Sequence, residues 1–149
     1  MSNLSRDTLA LINETNRDRL LVQRDAIERI ETKGTILMGF ALVALQFVFT
    51  LDHFDLWLYA ALGAYLVALG AGVVVIVPYR HDYPPDPVAM FDLYASRSVE
   101  DALEALAATR AAAFGFNVPR ARKKAVAWWV SLAALIGAIL LTGISLVRG

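Results

Sequence analysis

"RIETKGTILMGFALVALQFVF" occupies Arg29 to Phe49, and how it is read decides the fold. Within about one helical turn a charged, helix-favouring stretch becomes apolar, with neither Pro nor a loop between the two. From Gly34 to Leu51 only Thr35, Gln46 and Thr50 are polar. Crossing a bilayer core takes about 20 apolar residues at 1.5 Å rise each. The apolar stem of Lys33 lets the helix begin before Gly34 while its amine still reaches water. The stretch therefore reads as one helix whose surroundings change from water to lipid at Gly34.

Working outward, two further runs have the same character. Neither Leu56 to Val77 nor Ala125 to Val147 contains a charged residue, and each is long enough to cross alone. The 149-residue chain is 58% hydrophobic and only 19% charged, with mean hydropathy +0.53. Soluble domains carry about 25% charged residues. Strands do not fit such long runs of Ala and Leu, and backbone groups in lipid must bond internally, which favours helix. The expected fold is all-α, an integral membrane protein with three transmembrane helices. A cytosolic N-terminal helix (1–33) continues into span one (34–51). Span two (56–77) follows, then a cytosolic helical segment (78–124) and span three (125–147).

Charge sets the orientation. Arg6, Arg17, Arg19, Arg24, Arg29 and Lys33 precede the first span. Arg80, Arg97, Arg110, Arg120, Arg122, Lys123 and Lys124 lie between the second and third. The loop Asp52-His53-Phe54-Asp55 has no Lys or Arg, and only Arg148 follows the last span. The positive-inside rule places the N-terminus and the middle segment in the cytosol and the C-terminus outside, as a multi-pass protein of the inner membrane. No secretory signal pattern is expected in the charged segment before Gly34. Trp57 and the Trp128-Trp129 pair suit the ends of spans. Small residues at packing spacing, Ala60, Ala64, Ala68 and Gly72, and Ala134 and Ala138 with Gly137 and Gly143 near, predict close helix contacts. Three helices make a thin bundle, so a homo-oligomer, such as a tetramer, is expected.

The cytosolic parts carry their own patterns. Leu9, Ile12, Asn16, Leu20, Gln23, Ile27 and Ile30 share one face of the first helix, like a partner seam with two polar members that fix register. Beside the seam Arg6, Arg17 and Arg24 fall within about 40° of one another. Such a stripe, repeated around an oligomer axis, attracts phosphates. Arg120, Arg122 and Lys123 are the next candidates for nucleotide binding, although a basic collar at the membrane also holds topology. Asp86-Pro87 predicts the start of a short helix of about ten residues. Ser98 followed by Asp101 predicts a capping box that opens a helix ended by Asn117 and Pro119. The apolar face of that helix, Leu103, Leu106, Ala107 and Phe114, suits docking on the N-terminal helix.

Catalytic chemistry is not expected. There is no Cys, and the two His residues, His53 and His81, fall on opposite sides of the membrane in this topology, without a nearby Ser nucleophile. No phosphate loop, zinc spacing or intramembrane charge occurs, which argues against an enzyme, a metal site, a cofactor or an ion-coupled transporter. Gln46 is the most telling polar residue in the spans, because lipid is a poor environment for an amide. It faces another helix or water. In the second case Gln46 lines a pore with Phe40, Val43 and Phe47 as apolar constrictions that gate by dewetting.

Two stretches carry a resemblance. "ERIETKGTILMGFALVALQFVF" has an acidic residue, a Lys and a small residue (Glu31, Lys33, Gly34) before an apolar span. In "FDLYASRSVEDALEALAATRAAAFGFNVPRARKKAVAWW", Phe91, Ser98, Glu100, Leu103, Asn117 and Lys123 or Lys124 precede the last span. Together they resemble the Pycsar-type and SLATT-type bacterial membrane effectors. The resemblance implies anti-phage defence, a partner nucleotidyltransferase or cyclase that makes the signal, and inner-membrane permeabilisation on activation. The chain leaves no room for a separate cyclic-nucleotide domain, so a nucleotide or short oligonucleotide would bind the helices themselves. The expected function is an oligomeric membrane effector that forms a gated pore or disrupts the membrane under such a signal. The alternative is a membrane adaptor that binds a soluble partner through its N-terminal helix.

Overall fold

The computed structural model describes residues 6–51, 55–78 and 98–148. Among these residues every regular element is an α-helix: α1 (Arg6–Val48), α2 (Leu56–Ile76) and α3 (Val99–Arg148). All three are long and apolar enough to cross a membrane. The α1 helix runs for 43 residues, through Gly34 without interruption, as the opening stretch requires. The short helix expected after Pro87, like Arg80, Arg97, His53 and His81, lies outside the described residues.

The 50-residue α3 differs from the expectation that Asn117 and Pro119 end a helix. It continues through both. Pro119 lacks the N–H that would bond the carbonyl of Gly115, and its ring crowds that carbonyl. Pro119 and Gly115 are both exposed, so the freed carbonyl lies on a face that meets solvent. The start of α3 is as expected in position and slightly different in chemistry. The Asp101 N–H donates to Ser98 Oγ at 3.1 Å, and the Ser98 hydroxyl donates to Asp101 Oδ2 at 2.7 Å. In a capping box a longer Glu at this place bonds the cap's own N–H. Asp bonds the hydroxyl instead.

The chain divides into two units. One contains 6–26 of α1 and 98–121 of α3. There the two helices run parallel, because Asn13 meets Leu103 and Asn16 meets Ala107. The part of the predicted seam in this unit, from Leu9 to Gln23, is buried or half-buried at each of its positions. Residues of α3 cover it at Asn16 and, beside the seam, at Asn13.

The other unit contains 27–51, α2 and 122–148. Its core is Ala41, Val48, Leu58, Ala61, Tyr65, Ala68, Leu135 and Ala138. The directions alternate. Gly34 lies against Val75 and Gly72 against Met38, so α1 and α2 are antiparallel. Ser131 bonds Ala68 and Ser145 bonds Asp55, so α2 and α3 are antiparallel as well. Glu31 pairs with Lys124, leaving α1 and α3 parallel. One end of this unit thus holds Glu31, Lys33, Lys124 and Trp128. The opposite end holds Asp55, Trp57, Ser145 and Arg148.

The small-residue faces are corrected in detail. On α2 the buried face is Leu58, Ala61, Tyr65, Ala68, Gly72 and Val75, and Ala60 is exposed. The every-fourth stripe from Ala60 drifts off the contact, because packed helices alternate three- and four-residue steps. On the 122–148 part of α3 the buried positions are Lys124, Ser131, Leu135, Ala138, Thr142 and Ser145, while Gly143 faces open space.

Candidate functional site

Among the described residues, the first unit holds a concentrated polar arrangement outside the spans. Asn13 lies inside α1 and is buried. Its Nδ2 donates to the Leu103 carbonyl at 2.8 Å and to its own helix at Leu9 at 3.3 Å. From α3, Arg110 Nη1 donates back to the Asn13 carbonyl at 2.9 Å and to Asn13 Oδ1 at 3.3 Å. The two side chains therefore clamp the helices together, each bonding the other's helix. Asn16 adds a longer bond, Nδ2 to the Ala107 carbonyl at 3.5 Å. Arg17 stands one turn beyond Asn13 on the same face of α1. Burial, and after it the charge of Arg17, hold the Arg110 guanidinium below its ordinary pKa. It stays charged at neutral pH nonetheless, as guanidinium does.

The expected nucleotide-binding residues are thereby only partly assembled. Arg6, Arg17 and Arg24 are exposed on α1 as a helical stripe. Arg17 gains Arg110 as a neighbour. Arg120, in the same unit, lies with its Cζ 3.6 Å from the Phe116 ring centroid, a stacked guanidinium. Arg122 and Lys123 belong to the other unit, and both are exposed. Sequence reasoning missed Arg110 and Asn13. Arg110 is the one base within "VEDALEALAATRAAAFGF", and a lone charge on a docking face was the available signal.

No protein-family model, curated protein or solved structure matches the chain.

In the second unit the collar has one member that behaves differently. Lys124 is wholly buried at 0% exposure and pairs with Glu31. Lys33 lies with Nζ 5.9 Å from the Trp128 ring centroid. At the opposite end Arg148 lies 5.1 Å over Trp57. Each end of the three-helix unit thus pairs cations with Trp, the residues that suit a membrane interface.

That opposite end also carries a polar lock. Asp55 caps α2 by accepting from the Leu58 N–H at 2.8 Å, and Ser145 donates to the same Oδ1 at 2.7 Å. The Ser145 bond, ahead of the backbone bonds, draws the Asp55 carboxyl below its ordinary pKa. A depressed folded-state pKa contributes stability that is present above the unfolded value and is lost as pH falls through the folded one. Ser145→Ala is expected to shrink the acid-side loss. Melting temperatures at pH 7 and below pH 4, for both proteins in one detergent, provide the check.

The expected pore residues all face away from the three-helix unit. Phe40 is 64% exposed, Val43 68% and Phe47 53%. Gln46 is exposed too and makes no hydrogen bond among the described residues. Several other polar side chains of the spans differ: Thr50 and Thr142 bond their own helix, and Ser131 bonds Ala68 across to α2. Among the described residues no group of three or more His, Cys, Asp or Glu is placed to hold a metal.

Proposed function

We propose that the chain is an oligomeric membrane effector that forms a gated pore, or otherwise breaches the inner membrane, under control of a phosphate-bearing signal at its extramembrane helices. The observation that carries this reading is the outward face of α1. An amide at Gln46, unbonded among the described residues, sits among Phe40, Val43 and Phe47 on a helix suited to cross lipid. In hydrocarbon an unpaired amide costs several kcal/mol, roughly 4–8 against water on the strictest scale. A second copy or a water-filled lumen removes that cost. Either outcome requires association of copies around this face.

Control by a nucleotide or short oligonucleotide is supported by the exposed Arg6, Arg17 and Arg24 and by the Arg110 beside them. Cytosolic placement of those helices follows from the charge asymmetry of the loops. A role in anti-phage defence, with a nucleotidyltransferase or cyclase as functional partner, rests on the resemblance to Pycsar-type and SLATT-type effectors. The adaptor reading is less well supported, because α3 of the same chain already covers the seam at Asn16 and α1 beside it at Asn13.

Purified protein in dye-loaded liposomes tests the proposal. Release on adding a nucleotide fraction from phage-infected cells, and weaker release from Gln46→Leu, are the expected results. Absence of release under every nucleotide condition, together with a monomeric mass in detergent, would overturn it.

A further inference from the structure

Arg110 has a feature the helix clamp does not use. Its Nη1 is engaged by Asn13, but its Nε–H is buried without a hydrogen-bond partner. A buried donor on a charged group that goes unmet is costly. The helix clamp fixes the guanidinium against α1, one turn from Arg17, so two positive charges share one small area. Among the described residues, neither Arg17 nor Arg110 forms an ion pair with a carboxylate. Glu14 and Asp18 flank Arg17 in sequence, yet neither closes on it.

A single group that accepts several hydrogen bonds and carries at least one full negative charge removes all of these deficits. It bonds the Nε–H, screens the two guanidinium groups from each other and leaves the Asn13 clamp intact. Phosphate oxygens match the planar fork of Arg in this way. We infer that Arg110 and Arg17 form a binding site for a phosphate-type anion, with Asn13 as the residue that positions Arg110. The site rests on the proposed function and deepens it: it names which of the exposed bases takes the phosphate, and it adds Arg110 to them. A ligand bound here ties α1 to α3 inside the first unit, since one anion engages a base from each helix.

The full chain in neutral-lipid nanodiscs, titrated calorimetrically with inorganic pyrophosphate at fixed ionic strength, tests it. Wild type is expected to bind. Arg17→Gln and Arg110→Gln are each expected to weaken binding by about tenfold or more, the loss of one charge-assisted contact. Arg19→Gln, whose residue lies off this face, is expected to leave binding unchanged. Arg17 is exposed and holds no clamp, so its variant keeps the test valid even if Arg110→Gln loosens the helices. Repeating the titration in phosphatidylglycerol nanodiscs separates the two sources of phosphate. Equal affinity assigns the site to a soluble phosphate, and a loss of about tenfold, by competition from headgroups, assigns it to lipid. No binding by wild type, or binding that survives both variants, overturns the site. Pyrophosphate binding without liposome leakage keeps the site and sinks the pore, whereas leakage without binding sinks the site alone.

Discussion

Glu31→Met lowers the stability of the chain by up to about 3–5 kcal/mol, because it takes a carboxylate partner from a fully buried ammonium. Lys124 is 0% exposed, whereas the side chain of Glu31 keeps 33% of its surface. The two single variants are therefore unequal. Lys124→Met leaves a carboxylate that still reaches water, so its cost is the smaller. The double variant Glu31→Met, Lys124→Met recovers most of the loss, since well-packed apolar residues replace a buried pair at little or no cost. Thermal unfolding in one detergent, followed by tryptophan fluorescence, gives the order of the three. Equal losses for the two single variants would place Lys124 in water, against its burial. The pair also has a consequence for movement. It ties the parallel segments of α1 and α3 at the end of the unit where the basic collar lies, so the double variant is the natural protein in which to ask whether that tie restrains leakage.

The second large effect is steric. A Cβ on Gly34 would stand 2.5 Å from Val75 Cγ1 and 3.1 Å from Val75 Cβ. Val75 is itself fully buried and stiff at its β-carbon, so it has nowhere to turn. Gly34→Leu is expected to push α1 from α2 and to cost about 3 kcal/mol or more, at the upper end of overpacking changes. Gly34→Ala costs less, since it adds one carbon against Val75 where Leu adds four, and it still regains about 1 kcal/mol of helix propensity. At Gly72 the clash is with Met38, 2.5 Å from its Cγ, and a flexible thioether chain yields more readily. Gly72→Ala is thus expected to be milder than Gly34→Ala. Gly70→Ala, where nothing lies within 4 Å, is neutral or stabilising. The ranking Gly34→Leu, Gly34→Ala, Gly72→Ala, Gly70→Ala is read from melting temperatures. A Gly70→Ala loss matching that of Gly34→Ala would show that something other than the Val75 contact governs these sites.

These two cases mark what the sequence made legible. The spans are readable because apolar run length is a one-dimensional quantity fixed by bilayer thickness. The unbroken passage of α1 through Gly34 is readable because nothing between Arg29 and Phe49 stops a helix. The seam from Leu9 to Ile30 follows from helical periodicity. The pairings are not readable in the same way. Lys124 and Lys123 are neighbours in sequence, and only the rotation of α3 buries one while exposing the other. The apolar pattern fits Asn13 as well as Asn16, and the partner across the seam decides which is buried. Pro119 reads as a stop, a rule that holds for isolated helices and yields when the freed carbonyl can turn to solvent. Arg110 looks like one base among many until its donors are counted.

Everything rests on three helices crossing a bilayer with both long polar arms on one side. The chain contains no Cys, so a single introduced thiol reports its own location without background. Asp18→Cys, Glu104→Cys and Arg148→Cys all sit at exposed positions. Labelling intact cells and then opened cells with a membrane-impermeant maleimide is the most direct measurement. The thiols at 18 and 104 are expected to react only after the cells are opened, and the thiol at 148 to react in intact cells. Reaction of all three on the same side, or recovery of the chain in the soluble fraction without detergent, would contradict this topology.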